Sequence, residues 1–519
     1  MAAIEEIELN AFSAPLADKT SNFSPSVPPD GLPGVSIAPS PATLDGKSNI
    51  PSAVSNFLNS IVGAGIIGIP FAIRHCGLFT GILLLSWVGY LTDCSVRMIV
   101  TLGRDLGVND YERLAEKIYG KRGYTLICIF MIFLAFGAMV AYCIVVGDVV
   151  PELLGVTSSP AARPVSILLC SLLVMLPLSL LKDMSSLAFT STASCAADMV
   201  LVVIVIICAP VGSSVAAAGG FWKVLGSSII RPKTVFSGLG AMSFAFVCHH
   251  SSFIVANSLK DPSKERWATV THWSVSMAFT MCMFMGIFGY LGFLEETRGN
   301  VLVNFEGGDD MGSLTAGRIM LILTMFFTYP MESFVARHAL ICVVYGKEAA
   351  REDNPRRRLA VTVGLYVSAL VLSLFLPDLG IVLELTGAVS GSFLSYILPS
   401  SMYMCVHERE LMSLLKQLRL DKGILFFTCR KVVENSMLNE EEGQPATRDR
   451  DGSVDAADAP IEIGGCQDLV GNGSFFSRTK NTFNALRPFW LPLSMFFFGI
   501  IAFVVGTITT LIGAFVTME

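Results

Sequence analysis

The apolar residues of this chain collect in runs of about 20, the length of helix that crosses a hydrocarbon core about 30 Å thick. Inside lipid every backbone N–H and C=O must find its partner within the protein. A chain built from such runs folds as a bundle of membrane-spanning helices or not at all. Composition agrees: 53% of the 519 residues are hydrophobic and only 15% charged, against about 25% charged in soluble domains. Eleven spans can be drawn, at approximately 53–73, 78–101, 124–150, 164–181, 187–212, 234–257, 268–293, 314–345, 358–376, 379–405 and 489–515. An integral, multi-pass, all-α membrane protein is the expected fold class.

Orientation follows from where Lys and Arg fall in the short connections. The connection after span 2 holds Arg104, Arg113, Lys117, Lys121 and Arg122; that after span 6 holds Lys260, Lys264 and Arg266. The connection after span 8 holds Lys347, Arg351 and Arg356 to Arg358, and the segment after span 10 opens with Arg409, Lys416, Arg419 and Lys422. The connection after span 7 is acidic (Glu295, Glu296, Glu306, Asp309, Asp310), while that after span 5, with Lys223, Arg231 and Lys233, is the exception. The balance predicts a cytoplasmic N-terminus and places the C-terminal "VTME" on the far side.

Four regions result. Residues 1–50, rich in Ser, Pro and Ala, read as a disordered cytoplasmic tail; the opening "MAAIEEIELN" lacks the basic-then-apolar pattern of a signal peptide. Residues 51–405 hold spans 1–10. Residues 406–486, including "NEEEGQPATRDRDGSVDAADAP", read as a largely disordered cytoplasmic linker, either a spacer or a regulatory tether. Residues 487–519 hold span 11 and a short non-cytoplasmic end. The "NGS" sequon at Asn472 falls on the cytoplasmic side, so no glycan is expected there.

Several function classes are excluded. The 13 cysteines form no CxxC pair and no cysteine-and-histidine cluster at zinc spacing, so no metal cofactor is implied. A net charge of −6 with no basic, aromatic-laced stripe gives no reason to expect nucleic acid, and no obligate protein partner is evident. Neither HExxH nor GxSxG occurs, and no paired carboxylates lie close together on one span. The chain does not read as an enzyme.

The chemistry points instead to span 1. Its "NSIVGAGIIGIPFAI", residues 59–73, carries Gly63, Gly65, Gly68 and Pro70, residues that oppose a continuous helix. One reading is close helix packing through small residues. The other is a discontinuous helix, whose free N–H groups take an anionic substrate group and whose free carbonyls take a cation. Span 6, "LGAMSFAFVCHHSSFIVANSLKDP", is apolar up to Cys248 and then breaks into "HHSS". Two interrupted spans five apart favour the second reading and a 5+5 inverted repeat.

"SNFLNSIVGAGIIGIPFA", "FAFVCHHSSFIVANSLKDPSKERW" and "TYPMESFVARHAL" resemble the first, sixth and eighth spans of the amino acid/auxin permease family. They are most similar to its sodium-coupled neutral amino acid transporters and related vacuolar amino acid transporters. "GYLGFLEETRGNVLVNF" and "DLGIVLELTGAVSGSFLSYILPS" extend the likeness over nearly all of residues 52–405. The resemblance implies a LeuT-like fold of eleven spans with broken helices 1 and 6. It also implies secondary transport of an L-amino acid of the glutamine or alanine type, coupled to co-transported Na⁺ or H⁺, at a plasma or a vacuolar/lysosomal membrane. An amino-acid sensor signalling through its cytoplasmic segments is the alternative. Many plasma-membrane relatives carry a disulfide among their outer loops, where this chain offers only Cys76, with Cys208 near a span end.

The resemblance also assigns residues. Asn59 matches a sodium-linked asparagine before the glycine-rich break, and Thr328 a sodium-linked threonine two residues before a proline; carbonyls freed near Val62 would complete the Na⁺ shell. Substrate would bind Gly63, Ala64, Gly65 and Ile66, its carboxylate on the N–H groups of Ala64 and Gly65, with Cys248, His249, His250 and Ser251 from the second break. Asn59 could instead make an interhelical hydrogen bond, and Thr328 a bond to its own preceding turn. The two histidines either couple protons or serve the backbone freed by the break.

Ionisable residues inside spans are functional candidates by default. Asp93 and Arg97, four apart, fit a structural ion pair. Asp198 has no partner nearby in sequence, Glu332 shares a helix face with Thr328 and has Arg337 five residues further, and Glu384 sits in span 10; each either carries a coupling proton or forms a structural pair.

Overall fold

The computed structural model describes residues 48–180, 188–305, 311–351, 354–376, 378–408, 411 and 487–518. Of the expected tail, residues 1–47 lie outside these, as does nearly all of the 406–486 linker with Asn472; the acidic Glu306, Asp309 and Asp310 lie outside them too. Among the described residues nine helices are long and apolar enough to cross a membrane, and up to eleven if each of two bent pairs is one span.

The first bent pair is α1 (Ile50–Ile61) and α2 (Gly65–Cys76), inclined at 53°. Three residues with no side chain larger than valine separate them. They are followed by α3 (Leu78–Asp105) and the long α4 (Tyr111–Leu153). The latter is divided at Gly120, whose φ of 68° lies in the left-handed region that glycine enters without strain. The basic residues Arg113 and Lys117, expected in a connection, therefore ride on a short helix leading into span 3. Next come α5 (Ala162–Cys170), continued by a π turn at Ser171–Met175, and α6 (Ala188–Cys208). Pro210 ends α6 and bends the chain by 46° into α7 (Val211–Ala217); proline has no N–H to carry a helix on.

The second half begins with α8 (Phe221–Ser227), then α9 (Val235–Phe246) and α10 (His249–Ser258), the two pieces of span 6. Then follow α11 (Lys264–Phe293), α12 (Met311–Tyr345) and α13 (Pro355–Phe375). Span 10 opens as α14 (Leu379–Thr386), passes through π turns at Gly387–Gly391 and Phe393–Ile397, and ends as α15 (Leu398–Val406). The last helix is α16 (Arg487–Met518).

The broken helices sit at the centre. Every residue of α9 from Ser237 to Phe246 is buried, as is every residue of α2 from Gly65 to Ile73. Glycine makes this packing possible where backbones meet. A Cβ on Gly65 would lie 2.6 Å from the Cα of Ala245 on α9, and one on Gly387 would overlap the carbonyl of Gly240. The sequence reading set packing against a helix break at these glycines; the structure uses Gly65 for both.

Candidate functional site

The first break leaves backbone groups without helical partners. The Val62 N–H closes on the Leu58 carbonyl at 2.8 Å, and the next backbone bond is from Ile66 N–H to the Gly63 carbonyl at 3.2 Å. Among the described residues the N–H groups of Gly63 and Ala64 close on no backbone carbonyl, and that of Gly65 opens the new helix, where the first N–H groups have no intrahelical acceptor. These donors stand at the positive end of α2, a site that favours a carboxylate.

The second break lies at Val247 and Cys248, both outside helical geometry. Its two histidines part company. His249 is fully buried, with Nε2 2.7 Å from Ser95 Oγ and Nδ1 3.1 Å from Ser395 Oγ. Both ring nitrogens are thus satisfied by serines of spans 2 and 10, a bridge between helices. His250 points the other way: Nε2 lies 3.8 Å from Glu332 Oε1 on α12, and Nδ1 has no hydrogen-bond partner.

Between the breaks lies a cavity of about 590 Å³. Asn59, Val62, Gly63, Ala64, Gly65, His250, Ser251 and Thr328 line it, so eight of the eleven sequence-predicted residues converge there. Ile66, Cys248 and His249 do not line it; all three are buried in the surrounding packing. Asn59 donates from Nδ2 to Met331 Sδ at 3.9 Å, while its Oδ1 is buried without a hydrogen-bond partner. A buried amide oxygen left unpaired costs about 1–3 kcal/mol, and a cation would satisfy it. Thr328 Oγ1 donates to the Thr324 carbonyl at 2.8 Å, the local bond weighed from sequence, and keeps its lone pairs for a second contact. Two residues on, Pro330 supplies no N–H to the Phe326 carbonyl.

Sequence reasoning missed Tyr142, which α4 carries into the cavity beside Thr328, and the apolar walls Leu134, Phe244 and Phe334. Tyr142 has one indirect signal. Its hydroxyl would stand 3.3 Å from a Cβ on Gly63, so the glycine leaves room for it. The cavity continues toward the end of the bundle where Ser48 N–H bonds the Ser258 carbonyl at 2.9 Å.

The other ionisable residues divide. Asp93 Oδ2 accepts from Arg97 at 2.5 Å, and Glu384 Oε1 meets His75 Nδ1 at 2.6 Å, both structural pairs. Arg337 donates to the Ser179 carbonyl and Thr362 rather than to Glu332, leaving Glu332 Oε2 without a hydrogen bond beside the cavity. Exchanging His249 for alanine should therefore lower the melting temperature while sparing the cavity, since two hydrogen bonds of about 1 kcal/mol each are lost. His250→Ala should leave melting nearly unchanged and alter ligand binding; thermal scans of both variants with and without amino acids check the division.

The chain is similar to known proteins. A family described as transmembrane amino acid transporter protein matches residues 46–439. A rat protein with the provisional name sodium-coupled neutral amino acid transporter 11 is 33% identical over 372 residues, 70% of this chain and 79% of its own. Vacuolar amino acid transporter 2 of Saccharomyces cerevisiae is 30% identical over 375 residues, 68% of this chain and 76% of its own. A nucleobase-cation-symport-1 family transporter, solved in a closed conformation with bromovinylhydantoin bound, superposes with a TM-score of 0.50 at 14% identity, covering 70% of this chain and 80% of that one. At that identity the likeness speaks for the fold alone, an all-helical transporter architecture of the LeuT-like kind.

Proposed function

The chain belongs to the transmembrane amino acid transporter protein family, and from that premise we propose that it carries neutral amino acids, of the glutamine or alanine type, by alternating access coupled to Na⁺ or H⁺. It is a multi-pass membrane protein and a transporter rather than an enzyme. The observation that carries the finer reading is the convergence of both helix breaks on one cavity that also holds the unpaired Asn59 oxygen. The substrate carboxylate sits on the N–H groups between Gly63 and Gly65. Glu332, with His250 beside it, faces the ammonium group. Na⁺ takes Asn59 Oδ1, Thr328 Oγ1 and a carbonyl near Val62; it is a hard cation that prefers such neutral oxygens, and the relatives named as sodium-coupled favour it over H⁺. Spans 1–5 and 6–10 form the inverted repeat, and spans 1, 2, 6 and 7 rock against the others. With the basic connections in the cytoplasm, the cavity here faces inward.

Uptake into proteoliposomes tests this directly. Radiolabelled glutamine or alanine should accumulate several-fold under an inward Na⁺ gradient and equilibrate without one. Accumulation under a pH gradient alone would assign H⁺ instead, and no gradient-dependent uptake of any amino acid would overturn the proposal.

A further inference from the structure

Asp198 is a carboxylate for which the transport cycle just described has no use. It lies at the middle of α6, ten residues from each end, and is 1% exposed. Its Oδ1 accepts from Thr324 Oγ1 at 3.2 Å, while its Oδ2 is buried with no hydrogen-bond partner. Among the described residues no cationic side chain reaches it. The titratable groups facing it are Cys195 one turn away on its own helix, Cys282 on α11 and Tyr142 on α4, none of which supplies positive charge. From α12 it meets only the hydroxyl of Thr324. Ser194, one turn earlier on α6, is also buried with its Oγ unpartnered.

An ionised carboxylate placed so, without a counter-charge, is strongly disfavoured. Two remedies exist: a bound cation or a bound proton. A sodium ion needs a shell of several oxygens, and here only the carboxylate and the Thr324 hydroxyl are in contact, with Ser194 Oγ a helical turn away and the Cys195 and Cys282 sulfurs nearby. A proton needs a single lone pair. Thr324 is also the residue whose carbonyl accepts from Thr328 Oγ1, so Asp198 stands about one helical turn, some 6 Å of rise, from the proposed Na⁺ position.

We propose that Asp198, with Thr324, is a proton-binding site in the wall between spans 5 and 8, electrostatically linked to the cation site at Asn59 and Thr328. With no cation bound Asp198 carries the proton. A Na⁺ ion at Thr328 supplies the missing positive charge, and the proton leaves Asp198 for water. The linkage rests on the Na⁺ reading above; the proton site itself does not.

Infrared difference spectra of the full-length protein in lipid test both parts separately, read on the C=O band of buried protonated carboxyls. In the native protein that band should fall as pH is raised, and fall at fixed pH when NaCl replaces KCl. Asp198→Asn should lose the pH-dependent component, while Glu332→Gln retains it. Thr324→Val, which removes the hydroxyl donating to the carboxylate, should shift the midpoint of band loss to higher pH by about one unit. An Asp198→Asn protein with the native pH-dependent band, or a Thr324→Val protein with an unmoved midpoint, overturns the proton site. Loss of the pH component in Asp198→Asn with no response to NaCl in any variant keeps the site and rejects only the linkage.

Discussion

Replacing Asn59 by alanine should raise the Na⁺ concentration needed for half-maximal uptake by about tenfold or more. The amide oxygen it removes is buried and unpaired in the structure, so its loss frees no other hydrogen bond that could compensate. Interactions of neutral donors and acceptors with charged groups are worth about 1.5–3 kcal/mol, and each 1.4 kcal/mol is about a factor of ten. Thr328→Ala should act in the same direction but more weakly, because its hydroxyl also serves the Thr324 carbonyl and part of its loss falls on helix stability. Sodium-dependence curves of uptake at fixed amino acid check both variants. Unchanged curves in both would remove Na⁺ from this position and leave His250 and Glu332, 3.8 Å apart, to carry a coupling proton.

Most of the sequence-predicted residues that converge at the cavity lie at or beside the two helix breaks. Glycines and polar residues interrupt an apolar run only where protein or a cavity takes up the freed backbone, which is why both breaks were legible; Asn59 and Thr328 were singled out by the family resemblance alone. Which neighbour turns inward was not legible. His249 and His250 are one residue apart on a helix and hence about 100° apart around it; only the positions of Ser95 and Ser395 decide that His249 faces the bundle and His250 the cavity. Tyr142 was hidden for a related reason. It lies in a long apolar stretch of span 3, where a tyrosine facing the cavity and one facing a neighbouring helix look the same. The fates of the intramembrane carboxylates likewise depended on helices distant in sequence. Glu384 finds His75 across 309 positions, whereas Asp198 finds only a hydroxyl.

That Glu384–His75 contact carries the second large effect. It lies at the far end of α2 from the break, on the side of the bundle away from the cavity's Ser48–Ser258 end. There Arg74 Nη1 also donates to the Thr297 carbonyl at 2.9 Å, fastening α2 to the segment after α11. Gly299 and Gly380 pack so closely beneath it that a Cβ on Gly380 would overlap the ring of Phe71. Under the alternating access proposed above, opening this side would part His75, on span 1, from Glu384, on span 10. Removing His75 leaves a buried polar oxygen of Glu384 without its neighbour, at a cost of about 1–3 kcal/mol, and the 20% exposure of the His75 side chain places the effect at the lower end. His75→Ala should therefore shift the balance toward the outward-open form by about tenfold, because only there does Glu384 regain water. Cys76, fully buried and next in sequence, reports the change. Its modification by a membrane-impermeant maleimide, followed by peptide mass spectrometry on intact proteoliposomes, should be slow in the native protein and accelerate several-fold in His75→Ala. Glu384→Gln, which keeps the shape and removes the charge, should produce a smaller rise. An unaltered rate at Cys76 in both variants would show that the apolar packing around Phe71 and Leu383, and not the histidine–glutamate contact, holds this side closed.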